Sequence, residues 1–163
     1  MDDGHGDAGQ EGEGKARKQN DESESERLQD DNECVIITSR RIGMYTAKFY
    51  YDRHGNSEIT DYLDALKVSG LTSKTDRINR RKILAYIGAL EKYGTRIGMP
   101  FLRHLDGDIW ELRPLANRIF FFYWKDNKFV LLHHFIKKSK KTPPREIERA
   151  KAEMKDYRER NGE

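Results

Sequence analysis

Cysteine is almost missing, with Cys34 the only one in 163 residues. A single thiol excludes an internal disulfide framework and a thiolate metal cluster. Long apolar runs are missing as well, and a membrane helix needs about 18 or more such residues together. The opening Met1-Asp2-Asp3-Gly4 lacks the basic and then apolar character of a secretion signal. A soluble, cytoplasmic protein with no membrane association is expected. The five histidines, His5, His54, His104, His133 and His134, show no zinc-motif spacing, and no glycine-rich loop precedes a helix. Neither a metal nor a cofactor is expected. With 36% apolar residues, a chain of this length supports one modest core and leaves no room for a large multidomain enzyme.

Charge is present in quantity but unevenly placed. Residues 1–43 hold 6 Lys/Arg and 12 Asp/Glu, giving 6 − 12 = −6, whereas residues 44–163 hold 25 Lys/Arg and 16 Asp/Glu, giving 25 − 16 = +9. Up to Glu33 the first segment is mostly Gly, Asp, Glu, Ser and Gln, with Leu28 almost its only sizeable apolar residue. Such a segment buries too little surface to offset its chain entropy, so residues 1–43 read as a disordered acidic leader. Two explanations stand side by side: a tail that shields the basic domain, or a translation start assigned too far upstream of Met44. The apolar stretch 34–37 is a short, unsupported candidate edge strand. Residues 44–163 read as the folded domain.

Within that domain the periodicities alternate. Residues 44–51 are aromatic-rich and predict a strand, ended by Asp52-Arg53-His54-Gly55-Asn56. Asn56 or Ser57 is placed to cap a helix carrying Ile59, Tyr62, Leu63 and Leu66, which stops near Gly70. Ser73 and Asp76 have capping-box spacing for a second helix, buried along Ile83, Ile87 and Leu90 and ending at Gly94. Its first turns hold Lys74, Arg77, Arg80, Arg81 and Lys82, either a solvated face or a nucleic-acid contact. Strands follow over 109–113, 118–124 and 129–136, joined by short turns that suit antiparallel hairpins. Thr142 is expected to cap a last helix, with Pro143 at its first position and Ile147, Ala150, Met154 and Tyr157 as its apolar stripe. The order is β-α-α-β-β-β-α, an α+β class with an antiparallel sheet packed by helices.

Alternation of side chains lets the three-stranded meander be worked into faces. Centring the turns sets Arg118 opposite both Arg113 and Phe135. One face then holds Trp110, Leu112, Ile119, Phe121, Tyr123, Val130, Leu132 and Ile136, and should pack on the first two helices. The other holds Glu111, Arg113, Arg118 and His133 at one end, and Phe120, Phe122, Trp124, Phe129 and Leu131 towards the other. Its apolar end awaits the last helix or a partner. At its polar end Lys137 and Lys138 arrive beside Arg118 and Arg113, with Lys140 and Lys141 just beyond. Cations converging from separate strands repel one another unless an anion sits among them, and a phosphate is the natural occupant. The bland alternative is a solvated strand end satisfied by Glu111 and water.

Three ordered segments carry a family resemblance: Leu105-Asp106-Gly107-Asp108-Ile109-Trp110-Glu111-Leu112-Arg113, then Asn117-Arg118-Ile119-Phe120-Phe121, then Phe135-Ile136-Lys137-Lys138-Ser139-Lys140-Lys141-Thr142-Pro143. Over roughly residues 44–160 the chain resembles the phage-derived, HigB-like branch of the RelE/ParE toxin superfamily. The resemblance implies a compact microbial-ribonuclease-like domain, a helix-turn-helix, HigA-like antitoxin as partner, and metal-independent cutting of mRNA on the ribosome. Arg118 matches the arginine that opens the central strand of RelE-like toxins and contacts the scissile phosphate. Arg113 matches a basic position at the end of the preceding strand, and Lys137 or Lys138 a further cation. Two positions depart: Glu111 stands where the RelE branch has lysine, and no tyrosine follows the lysine cluster until Tyr157.

The expected catalytic set is therefore Arg118, Arg113, Glu111, Lys138 and His133. Lys137, Lys140, Lys141, Arg103 and Arg81 are expected to bind phosphate. RNA cutting by an attacking 2′-hydroxyl needs a base, an acid for the leaving 5′-oxygen and neutralisation of developing charge. The arginines suit the last task. Glu111 and His133 are alternative bases; each has a plainer reading, as an arginine's ion-pair partner and as a hydrogen-bonded core histidine. A ParE-like inhibitor of DNA gyrase and a tamed interaction module remain the other function classes, since shared fold does not settle function.

Overall fold

In a computed structural model, residues 44–162 are described. The acidic leader expected over 1–43, including the stretch 34–37, lies outside the described residues. The elements are β1 (Thr46–Phe49), α1 (Glu58–Ser69), α2 (Lys74–Tyr93), a 3₁₀ turn (Gly94–Ile97), β2 (Leu102–Asp106), β3 (Ile109–Leu112), β4 (Asn117–Trp124), β5 (Lys128–Ile136) and α3 (Pro144–Asn161). The class is α+β and compatible with a compact RelE-like architecture.

Two features of the sheet's topology differ from expectation. β2 is an added strand, paired antiparallel to β3 through the turn at Gly107, whose φ of 52° suits a tight hairpin. Leu102-Arg103-His104-Leu105-Asp106 does not alternate, and as an edge strand it buries only Leu102 fully, so periodicity could not reveal it. The sheet is also mixed, not antiparallel throughout: its order is β1-β5-β4-β3-β2, and β1 runs parallel to β5. Strand periodicity carries no direction; the crossover through α1 and α2 decides it.

Helices cover both faces. Ile59, Leu63 and Leu66 of α1 and Ile83, Ile87 and Leu90 of α2 pack with Leu112, Ile119, Phe121, Phe129 and Leu131. On the opposite face Ala150, Ile147, Met154 and Tyr157 of α3 meet Phe120, Phe122, Trp124, Val130 and Leu132. The apolar end of the second face is thus occupied by the chain's own last helix. Ser73 caps α2 as expected, its hydroxyl accepting from the Asp76 amide at 3.2 Å. Thr142 does not cap α3: the N-cap is Pro143, and Thr142 is engaged elsewhere.

The β4–β5 register explains which strand residues face which helix. Arg118 pairs with Phe135 and Ile119 with His134, as expected, but beyond a bulge Phe121 pairs with Leu131 and Trp124 with Lys128. Leu132 and His133 both oppose Phe120. One residue of slip reverses every side chain beyond it. Val130 and Leu132, expected against α1 and α2, therefore lie under α3, while Phe129 and Leu131 take the first face. The cause lies in the hairpin, where Asp126 and Asn127 adopt positive φ of 60° and 55° in a three-residue connection.

Candidate active site

The register beyond the bulge leaves one sheet end as the strand alternation predicts. Arg113 follows β3 directly and its amide donates to the Phe101 carbonyl at 2.8 Å, which fixes it beside the start of β2. Arg118 is the second residue of β4. Both point to the face that carries Glu111, whose cross-strand neighbours are Phe120 and Arg103.

Glu111 is the centre of the cluster and is fully buried. Its Oε2 lies 3.6 Å from Arg113 Nε and its Oε1 lies 3.8 Å from Arg118 Nε. Thr142 Oγ1 donates to Oε1 at 2.8 Å. A buried carboxylate requires compensation, and two guanidinium groups and a hydroxyl supply it. The pairing is electrostatic more than directional: Glu111 Oε2, Arg113 Nε and Arg118 Nε are buried with no hydrogen-bond partner in the structure. Arg118 is further held by its Nη1, which donates to the carbonyls of Leu115 at 2.8 Å and Asn117 at 2.6 Å. Burial pushes its guanidinium below the ordinary arginine value, opposed by the Glu111 charge and reinforced by Arg113. Arginine remains charged under such a shift.

The lysines arrive on a loop tied at both ends. Lys137 donates its amide to the Ala116 carbonyl at 2.9 Å, at the turn before Arg118, and Thr142 closes the loop on Glu111. Between these anchors Lys138, Lys140 and Lys141 are exposed and Lys137 is half-buried. Arg113 is partly exposed, at 20% of its side chain, against 9% for Arg118. Arg103 is exposed across from Glu111. Arg81 is exposed on the first half of α2.

His133 shares the Glu111 face and, like Glu111, is closed to solvent. It is fully buried beneath α3, with Nδ1 at 2.6 Å from Glu153 and Nε2 at 3.4 Å from Glu146, and its ring lies 4.8 Å from that of Phe120. These contacts hold α3 onto the sheet. His134 faces the other way, stacked on Tyr62 at 3.9 Å, where burial pushes its pKa below the ordinary histidine value.

Four participants were not read from sequence. Thr142 belongs to the motif but was assigned as a helix cap. Glu146 and Glu153 stand one heptad apart on α3, a spacing that marks a shared face without naming its partner. Tyr86 of α2 lies within electrostatic reach of Arg118, and only packing reveals that. Among the described residues, no three His, Cys, Asp or Glu side chains group as metal ligands would. No helix among them is long and apolar enough to cross a membrane.

Fold and site together define a small α+β domain with a cationic sheet end gathered around one buried carboxylate. The chain belongs to the family described as phage-derived protein Gp49-like, which it matches over residues 71–155, just over half its length. That family is toxin-like and part of the RelE/HigB-like toxin superfamily of toxin-antitoxin systems. The matched stretch contains Arg103, Glu111, Arg113, Arg118, the lysine loop and Thr142. No curated protein matches the chain.

Proposed function

We propose that the protein is the toxin of a toxin-antitoxin pair, of the HigB-like type, and that it cuts mRNA on the ribosome. The observation that carries this reading is the convergence of Arg113, Arg118 and the 137–141 lysine loop on one sheet end, where the Arg113 side chain is partly exposed and the loop's lysines largely so. A phosphate accepting from the exposed cations of this end neutralises their mutual repulsion.

In the proposed reaction the 2′-oxygen attacks the adjacent phosphorus and the bond from phosphorus to the 5′-oxygen breaks. The 2′-hydroxyl loses its proton to solvent water, and the leaving oxygen gains one. Arg113, with Arg118 behind it, stabilises the charge that develops on the phosphate oxygens. Lys138, exposed on the loop, donates to the leaving oxygen. Glu111 and His133 are both fully buried. Their part in this scheme is positional: Glu111 aligns the arginines, and His133 secures α3. Lys137, Lys140, Lys141 and Arg103 extend the cationic surface along the RNA backbone. A helix-turn-helix, HigA-like antitoxin neutralises the toxin.

Induced expression of the full chain in bacteria, beside Arg118→Ala, tests the proposal by growth and by mapping new 5′ ends in cellular mRNA. Growth arrest with cuts that vanish in the variant supports it. Arrest with intact mRNA transfers the case to gyrase inhibition, and no arrest to an interaction module.

A further inference from the structure

Outside the arginine cluster, the described residues form an apolar cavity of about 360 Å³ between the end of α2, the 3₁₀ turn and the approach to β2. Its lining is Ala89, Tyr93, Arg96, Ile97 and Phe101. Volumes of this order are typical of small-ligand sites. Tyr93 and Phe101 are 46% and 40% exposed, an uncommon state for two neighbouring aromatic rings.

The cavity adjoins the cationic sheet end. The Phe101 carbonyl accepts the Arg113 amide at 2.8 Å, and Arg113 Nη1 lies 3.5 Å from the sulfur of Met99, two residues before Phe101. The Phe101 ring also lies 5.1 Å from that of Tyr86, itself within electrostatic reach of Arg118. Cations rim the aromatic surface. Lys92 Nζ sits 5.0 Å from the Tyr93 ring centre, and Arg96 meets the Tyr93 carbonyl and the Met44 sulfur but, among the described residues, no carboxylate. An apolar partner helix would seek the aromatic rings but gain nothing from these cations. A nucleotide uses both, because its base stacks on an aromatic ring and its phosphates meet the cations.

We infer that the Tyr93–Phe101 cavity binds a nucleobase of single-stranded RNA whose backbone continues onto Arg113 and Arg118. This rests on the RNA-directed reading above and adds a stacking subsite to it. The rings bind any base through its face, so they anchor the strand, while the cavity's dimensions limit which bases enter fully.

The test measures binding of the full chain to a fluorescein-labelled, single-stranded 2′-deoxy octamer and to its abasic counterpart with the same number of phosphates. The missing 2′-hydroxyl prevents cutting by the proposed route. Wild type should bind the base-bearing strand on the order of tenfold more tightly. Phe101→Leu and Tyr93→Leu, each checked by thermal unfolding, should remove most of that preference and leave the abasic affinity and its salt dependence unchanged. Arg118→Ala should instead weaken both strands alike. Equal wild-type affinity for the two strands overturns the subsite but leaves the phosphate reading intact. A preference retained in both leucine variants also overturns it, and loosening of a co-expressed antitoxin by those same variants would assign the cavity to a protein. Failure of wild type to bind either strand removes the phosphate reading first and the subsite with it.

Discussion

Thr142 donates a 2.8 Å hydrogen bond to Glu111, joining the residue that precedes the start of α3 by two positions to strand β3. Through this bond the lysine loop and the two arginines become one unit. The carboxylate needs the hydroxyl because neither ion pair is closer than 3.6 Å.

Thr142→Val should therefore destabilise the domain by about 1.5–3 kcal/mol, the range for a hydrogen bond to a charged group. It should also slow mRNA cutting, because the loop loses its anchor. Thr142→Ser keeps the hydroxyl and should retain most of both. Chemical denaturation beside mRNA 5′-end mapping checks the pair; equal losses in Val and Ser would place the effect in the threonine methyl group.

Glu111→Gln keeps the shape but leaves Arg113 and Arg118 as adjacent, uncompensated charges. Removing one partner of a buried ionic group costs on the order of 3–5 kcal/mol. A stability loss approaching that size is expected, and added phosphate or sulfate should recover part of it by binding at the exposed part of Arg113. A Gln variant as stable as wild type, yet unable to cut, would return Glu111 to the role of general base.

Asp156 joins α3 to the loop after β1, accepting from Arg53 at 2.8 Å, Tyr50 at 2.8 Å and Arg160. The Arg53 hydrogen bond is the leading cause holding its carboxyl down at about 2, from 3.8. A depressed acid contributes stability above its unfolded value and loses it as pH falls through the folded one. Tyr50 is raised to about 12, mainly by burial and then by Asp156, so its contribution is complete below about 10 and fades as pH rises through 12. The unfolding midpoint of the wild type should thus fall as pH drops from 4 towards 2, and Asp156→Asn should flatten that slope. An unchanged acid limb in the variant would assign it to other carboxylates.

Gly94 closes α2 with φ of 62°, and a Cβ there would stand 2.7 Å from the Tyr45 ring. Gly94→Ala combines backbone strain with a clash, each unfavourable at this point. A loss of about 1–3 kcal/mol is expected on unfolding. The Tyr45 ring packs 5.1 Å from that of Phe129, so the disturbance should reach the core.

Much of the site was legible because local rules set it. Arg113 and Arg118 face Glu111 through strand alternation and the short β3–β4 turn, and neither needs knowledge of a distant element. β5 shows the limit of that reasoning. The turn at Asp126 and Asn127 starts β5 one residue out of the centred register, and the bulge opposite Phe120 restores it. Centred turns therefore place Arg118 and Phe135 well and misplace the faces of Phe129 through Leu132. The edge strand β2 escaped notice because only one of its five side chains is fully buried.

Sequence by itself determined the segregation of charge, the three helices with their apolar stripes, the meander and the order in which the cations follow one another. These depend on periodicity and turn chemistry within short windows. Tertiary structure decided the parallel pairing of β1 with β5, the withdrawal of His133 beneath α3 between Glu146 and Glu153, and the bond from Thr142 to Glu111. It also brought Phe101 beside Arg113 and into one cavity lining with Tyr93. The reason is physical: a side chain's periodic position says which way it points, but what it meets there depends on elements far along the chain that only packing brings together.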